Sequence, residues 1–271
     1  MSFDIIREVK KFNPYHGADG RFASSSSYTQ FTIRTKDPKK QHMADMAIAR
    51  EKERHAAQLA NPTNDPETIA GVKRGQPMTH EQADQGNANP NYGNGRGYSI
   101  NCQTCVLAYE ARLRGYNVEA KPRDGSSATQ NSLAKNSNLA WKDPKTGEHP
   151  EKLTNPPNIN RQTQVKKWLN DNMEEGARYH FSHGWKGTDG RVGHIVSATK
   201  ENGKIKLFDP QNGKNYEGDG VTEYISRVKA TWSLRTTYYN SGTQGRLGLT
   251  RVDNMQLDVT VANAVLKGAG Q

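Results

Sequence analysis

Two cysteines constrain this chain more than any other feature. Cys102 and Cys105 are the only two in 271 residues, and they stand three positions apart. One such close pair is not a disulfide framework, so the core must come from packing; the sulfurs fit a reducing compartment or cysteine chemistry. The pair also opens the strongest helical pattern in the sequence. Cys102, Cys105, Val106, Tyr109 and Leu113 recur on one face at helical spacing. Arg112 and Arg114 come late, where cations suit the helix dipole, and Gly115 is a natural stop.

Around this helix the chain reads as three parts. Hydrophobic residues make up 32%, too few for a single core to use the whole length, so a poorly packed region is expected. Residues 1–60 form an irregular and helical extension. Its first part mixes charge with Phe12, Tyr15 and Phe22 and ends in four serines, Ser24 to Ser27, a flexible composition. Asp37-Pro38 then signals a helix start, and good helix formers run to about Leu59. Residues 61–97 carry Pro62, Pro66, Pro77 and Pro90 and the turn signal Gly93-Asn94-Gly95, and read as a linker or irregular loop. Residues 98–271 form the main domain.

Within that domain, 117–120 suggests a short strand and 124–157 a run of polar loops. Gln162 to Met173 follows as a helix with Val165, Trp168 and Leu169 inward. Strands are expected at 178–182, 193–198 and 204–209, the last two joined by an Asn202-Gly203 hairpin. Helices at 221–228 and 259–266 and a strand at 232–239 complete the pattern. No apolar run reaches 18 residues, so nothing spans a membrane, and the N-terminus lacks the apolar stretch of a secretory signal. The net charge of +10 favours acidic partners, but Lys and Arg are scattered, which fits a solvated basic surface better than nucleic-acid binding.

The chemistry centres on Cys102. A helix start offers free N–H groups and a partial positive charge, which favour thiolate over thiol and can stabilise an oxyanion. A nucleophile needs a base, and the base needs an orienting group. His194 lies on a strand beside Gly193, and Asp209 ends the next strand, so the 202–203 hairpin could bring them together. Each role has a competitor. Cys105 is an alternative nucleophile, although a cysteine one turn into a helix is usually a core residue. The Cys-x-x-Cys pair could also be redox-active or half a metal site. His180 and His183 are alternative bases, and Asp209 before Pro210 could simply close a turn. Trp185 is the tryptophan that could touch a substrate, and Gln211 could bind substrate, fix the Asp209 loop or simply serve the turn.

Asn101-Cys102-Gln103-Thr104-Cys105-Val106, the following Ala108 to Tyr116, Gly193-His194-Ile195-Val196 and Asp209-Pro210-Gln211-Asn212-Gly213 together resemble the papain-fold toxins described as glutamine deamidases. The resemblance implies Cys102 as nucleophile, His194 as base and Asp209 as its partner. It implies an α+β papain-like fold, with a cysteine-bearing helix against an antiparallel sheet, no cofactor, a protein substrate and an immunity or inhibitor protein. One feature departs from papain-like proteases: no Gln stands among the six residues before Cys102, Arg96 to Asn101. Asn101, Gln103 or backbone amides would have to serve the oxyanion, which weakens a plain peptidase reading. Lys11 to His16, Asp19 to Phe22 and Ala47 to Arg54 resemble the C-terminal extension of phage minor head proteins. That similarity implies contacts with phage head or portal proteins through residues 1–60. It also implies a cytoplasmic protein of the producing bacterium, packaged in a virion or delivered to a target cell, and leaves a non-catalytic head-associated role as the alternative.

Overall fold

The structure is a computed structural model of the whole chain. It describes residues 65–186, 193–233 and 243–270, together with Pro38 and Gln41. The chain divides into two compact units, Met1–Pro62 and Thr63–Gln271. The expected flexible start, nearly all of the 37–59 helix and the phage-like motifs lie outside the described residues.

The second unit begins with a small hairpin, β1 (Thr68–Ile69) and β2 (Val72–Lys73), and a single helical turn, α1 (His80–Ala83). Helix α2 (Cys102–Leu113) follows, then β3 (Val118–Ala120), α3 (Ala128–Lys135), β4 (Trp141–Lys142), β5 (Leu153–Thr154) and α4 (Gln162–Asn172). Strands β6 (Arg178–Trp185), β7 (Gly193–Glu201), β8 (Lys204–Asp209) and β9 (Lys214–Tyr216) lead to α5 (Asp219–Ser226). Short strands β10 (Val228–Lys229), β11 (Thr231–Ser233), β12 (Thr243–Gly245), β13 (Gly248–Arg251) and β14 (Gln256–Leu257), then α6 (Val259–Val265) and β15 (Leu266–Gly268), complete the unit.

The main sheet is antiparallel, in the order β5-β13-β6-β7-β8-β9, with β10 pairing to one end of β6. Helix α2 packs on β7, while α4 and α5 pack together against β8. The architecture is the expected α+β arrangement of a cysteine-bearing helix on an antiparallel sheet. One core lies around α2, with Leu107, Tyr116, Trp141 and Leu266 buried. The other joins the sheet to α4 and α5 through Trp168, Leu169, Phe181, Leu207 and Tyr224.

The β7–β8 hairpin follows from its turn residues. Asn202 and Gly203 have φ of 53° and 70°, the left-handed pair that a two-residue hairpin turn requires. That turn fixes the register Glu201↔Lys204 through Ser197↔Phe208.

Three expectations need correction. Helix α2 is not one-faced, because every residue from Thr104 to Arg112 is buried; it runs through the interior instead of lying on it. The polar 124–157 stretch is not all loop. Ser127 caps α3 by accepting from the Gln130 N–H, and Leu133 anchors it in the core. Residues 65–97 are irregular backbone for the most part, but they are no spacer and belong to the second unit. Arg112 donates to the carbonyl oxygens of Gln82 and Ala83 at 3.1 and 3.2 Å. Arg114 pairs with Asp65 at 2.9 Å, both largely buried. Both arginines stand at the C-terminal end of α2, as expected, and also hold this segment to the helix.

Candidate active site

Cys102 is the first residue of α2, and Asn101 is its N-cap. The Asn101 side chain makes no capping bond to the helix; its amide instead donates to Asn89 Oδ1 and to the Lys121 carbonyl oxygen, at 3.2 and 3.1 Å. The first N–H groups are served from a distant loop. The Gln211 amide is assigned with its oxygen toward the helix, where it accepts from the N–H of Asn101 and of Cys102 at 3.0 and 3.1 Å. Asn89 Nδ2 donates to the Gln211 carbonyl oxygen at 2.9 Å. Three buried amides, Asn89, Asn101 and Gln211, thus bind the start of the cysteine helix to the loop after β8. Such a network is rigid only when its members are satisfied.

That loop holds Asp209. Its Oδ1 accepts from the Gln211 N–H at 3.1 Å and its Oδ2 from Asn212 Nδ2 at 2.8 Å. The Asp209 carbonyl oxygen accepts from the Gly213 N–H at 2.9 Å, and Gly213 turns the chain at φ 71°. The Asp-Pro-Gln-Asn-Gly run is therefore a turn that aims one carboxylate and returns one amide to the helix. His194 Nε2 donates to Asp209 Oδ2 at 2.8 Å. The ring and Cys102 line the same cleft, and Nδ1 is the ring nitrogen that the Asp209 bond leaves over. Burial disfavours the charged imidazole, but the Asp209 bond and the neighbouring Cys102 outweigh it and lift His194 to about 10. The site therefore favours the charged form of the imidazole.

The competing residues differ from these three in what surrounds them. Cys105 is fully buried, and desolvation, with the charges of Cys102 and Asp209 adding to it, pushes its thiol well up. It behaves as a core residue and not as a thiolate. His180 lies edge-on to Trp141, and burial lowers it to about 4. His183 bonds the Tyr224 hydroxyl at 2.8 Å, and burial, then the His194 charge, lowers it to about 3. Both are neutral interior rings. Trp185 stacks on the His194 ring at 5.5 Å with 28° between planes. A cleft of about 610 Å³ opens over these groups, lined by Cys102, Gln103, Trp185, His194, Asp209 and Gln211 among others. Gln103 Oε1 lies 3.4 Å from Cys102 Sγ, so a half-turn of its amide would present an N–H donor at the sulfur.

Residues 100–214 match the family model described as papain fold toxin 1, glutamine deamidase. The matched span holds Cys102, His194, Asp209 and Gln211. It does not reach residues 1–60. Among solved structures, the Pseudomonas avirulence protein AvrPphB is 14% identical, with 62% of this chain and 99% of that chain covered and a TM-score of 0.25. The comparison with curated proteins gives no match.

Sequence reasoning missed one site residue and left the role of another open. Asn89 sits in a stretch that reads as linker, and no local pattern marks it. Gln211 does carry a signal, since it belongs to the same short run as Asp209.

Proposed function

We propose that the chain is a cysteine-dependent amide hydrolase that deamidates glutamine side chains of a protein substrate. Cys102 is the nucleophile, His194 the general base and acid, and Asp209 the group that holds the imidazole. The observation that carries this reading is the His194 ring, bonded to Asp209 at 2.8 Å and lining one cleft with Cys102, which stands at a helix start. The family match over residues 100–214 supports the choice of a carboxamide substrate.

The reaction follows from these roles. The Cys102 thiolate adds to the carboxamide carbon and forms a tetrahedral oxyanion. Gln211 already occupies the Cys102 N–H, so the Gln103 amide is the side-chain donor we assign to that oxyanion. The His194 imidazolium gives its proton to the departing nitrogen, and ammonia leaves a thioester. Neutral His194 then takes a proton from water, hydroxide adds to the thioester, and collapse releases Glu and the thiolate. Asp209 favours the charged ring throughout.

Incubation of the purified chain with glutamine-containing peptides, followed by ammonia measurement and peptide mass, tests this. Wild type is expected to release ammonia and convert Gln to Glu, with Cys102→Ala inactive. Cleaved peptides without ammonia would make the chain a peptidase. Equal ammonia release by Cys102→Ala would remove the thiol from the mechanism.

A further inference from the structure

The cleft above Cys102 is lined by cations. Arg123, Lys214, Arg227 and Arg246 all border it, and among the described residues Asp209 is the one carboxylate in its lining, already bonded to His194. Arg123 spends its donors on neutral oxygens, the Gln130 carbonyl and Asn131 Oδ1. Arg227 is exposed and lies over the Trp185 and Tyr224 rings, 5.7 Å from each centroid. Lys214 is exposed. Among the described residues, Arg123, Lys214 and Arg227 form no salt bridge. A second hollow of about 440 Å³ shares Trp185 and Arg227 and adds Lys186 to its wall. A cleft walled by one sign of charge focuses its field outward and raises the local concentration of the opposite sign.

Taking the deamidase reading as its starting point, we propose that the cleft selects a glutamine carried on an acidic segment of the target protein, with Asp or Glu side chains flanking the attacked carboxamide. The arginines supply forked donors for those carboxylates. Arg227, held by aromatic faces, is ordered before the substrate arrives, so its pairing costs little side-chain entropy. Lys214 leads into β9 directly after the Asp209 turn, so a carboxylate meeting it lies close to the reacting group.

The test is binding to full-length Cys102→Ala, which needs no turnover. Three fluorescent peptides of equal length carry one central Gln flanked by Asp and Glu, by Ser and Ala, or by Lys; a single-stranded oligonucleotide is the fourth probe. The acid-flanked peptide is expected to bind at least about tenfold tighter than the neutral one at low salt, with the gap closing as salt rises. Lys214→Gln with Arg227→Gln should remove the preference, and Lys214→Arg with Arg227 unchanged should keep it, both variants matching the parent in circular dichroism and melting temperature. Equal binding of the acidic and neutral peptides would overturn the inference, and so would an oligonucleotide that outcompetes the acidic peptide. If the wild type binds acidic peptides selectively but releases no ammonia, the deamidase reading falls and the acidic selectivity stands.

Discussion

Asp209→Asn isolates the contribution of a single charge. The carboxylate accepts from three groups: Oδ1 from the Gln211 N–H, and Oδ2 from His194 Nε2 and Asn212 Nδ2. All three partners donate. An asparagine must turn its NH₂ toward one of these sides, so a donor then faces a donor. The side chain keeps its shape and loses its charge. A buried hydrogen bond to a charged group contributes about 1.5–3 kcal/mol. At about 1.4 kcal/mol per tenfold, this lowers the proton affinity of His194 by roughly ten- to hundredfold. The wild-type ring is lifted to about 10 by its surroundings, so the variant's midpoint should move down toward neutral. The assay is an NMR titration of the imidazole, with the His194 resonance assigned by its absence in His194→Gln. Alkylation at Cys102 should change with it, because the imidazolium that accompanies the thiolate is lost at a lower pH. An unchanged His194 midpoint in Asp209→Asn would refute the argument, since the carboxylate would then not be what holds the proton.

Native alkylation should modify Cys102 and spare Cys105, and Cys105→Ala should retain activity; labelling of Cys105 in the folded protein would contradict its burial. Gln103→Ala should cut kcat by roughly a hundredfold with little change in KM, as expected when a transition-state donor is removed. Glu110 is fully buried; burial pushes its carboxyl up, but Arg178 and Arg114 outweigh this and hold it below the usual carboxylate range. Glu110→Gln should therefore lower the urea midpoint by the equivalent of about 3–5 kcal/mol, because the Arg178 guanidinium loses its charge partner while Arg114 keeps Asp65. His180 and His183 stay neutral in the fold, with values of about 4 and about 3, while the unfolded chain binds protons near pH 6.5. Stability is then insensitive to these two rings above about pH 7 and falls as pH drops toward 4, by up to about 3 kcal/mol per pH unit. Urea titrations of wild type and His183→Phe across that range would show whether the slope shrinks.

The parts of the fold legible in the sequence were those with strong local signals. The β7–β8 hairpin rests on Asn202-Gly203 and alternating apolar residues, and α4 on the spacing of Val165, Trp168 and Leu169. The tail shows how boundaries blur. The expected 221–228 helix begins at Asp219 and ends at Ser226, and Val228 joins β10. The expected closing helix gives up Leu266 to β15, which pairs with β3 across a long sequence separation. The 232–239 strand is described only through Ser233. Strand β13 was not visible, because Gly248 interrupts a short run whose place between β5 and β6 is set only by distant partners. The same limit applies to the site. Cys102, His194 and Asp209 could be read from a helix start and two strand ends. Asn89 could not, because its bonds to Gln211 and Asn101 cross from a proline-rich stretch to elements far along the chain. The missing upstream glutamine was visible, but the glutamine that meets the Cys102 N–H comes from the other end of the site, after the aspartate.

The most direct test of the central claim is mass spectrometry of proteins from cells expressing wild type or Cys102→Ala. The account predicts Gln-to-Glu conversion at defined positions in the wild-type sample alone, with intact termini. New chain termini at those targets, or the same conversions with Cys102→Ala, would contradict it.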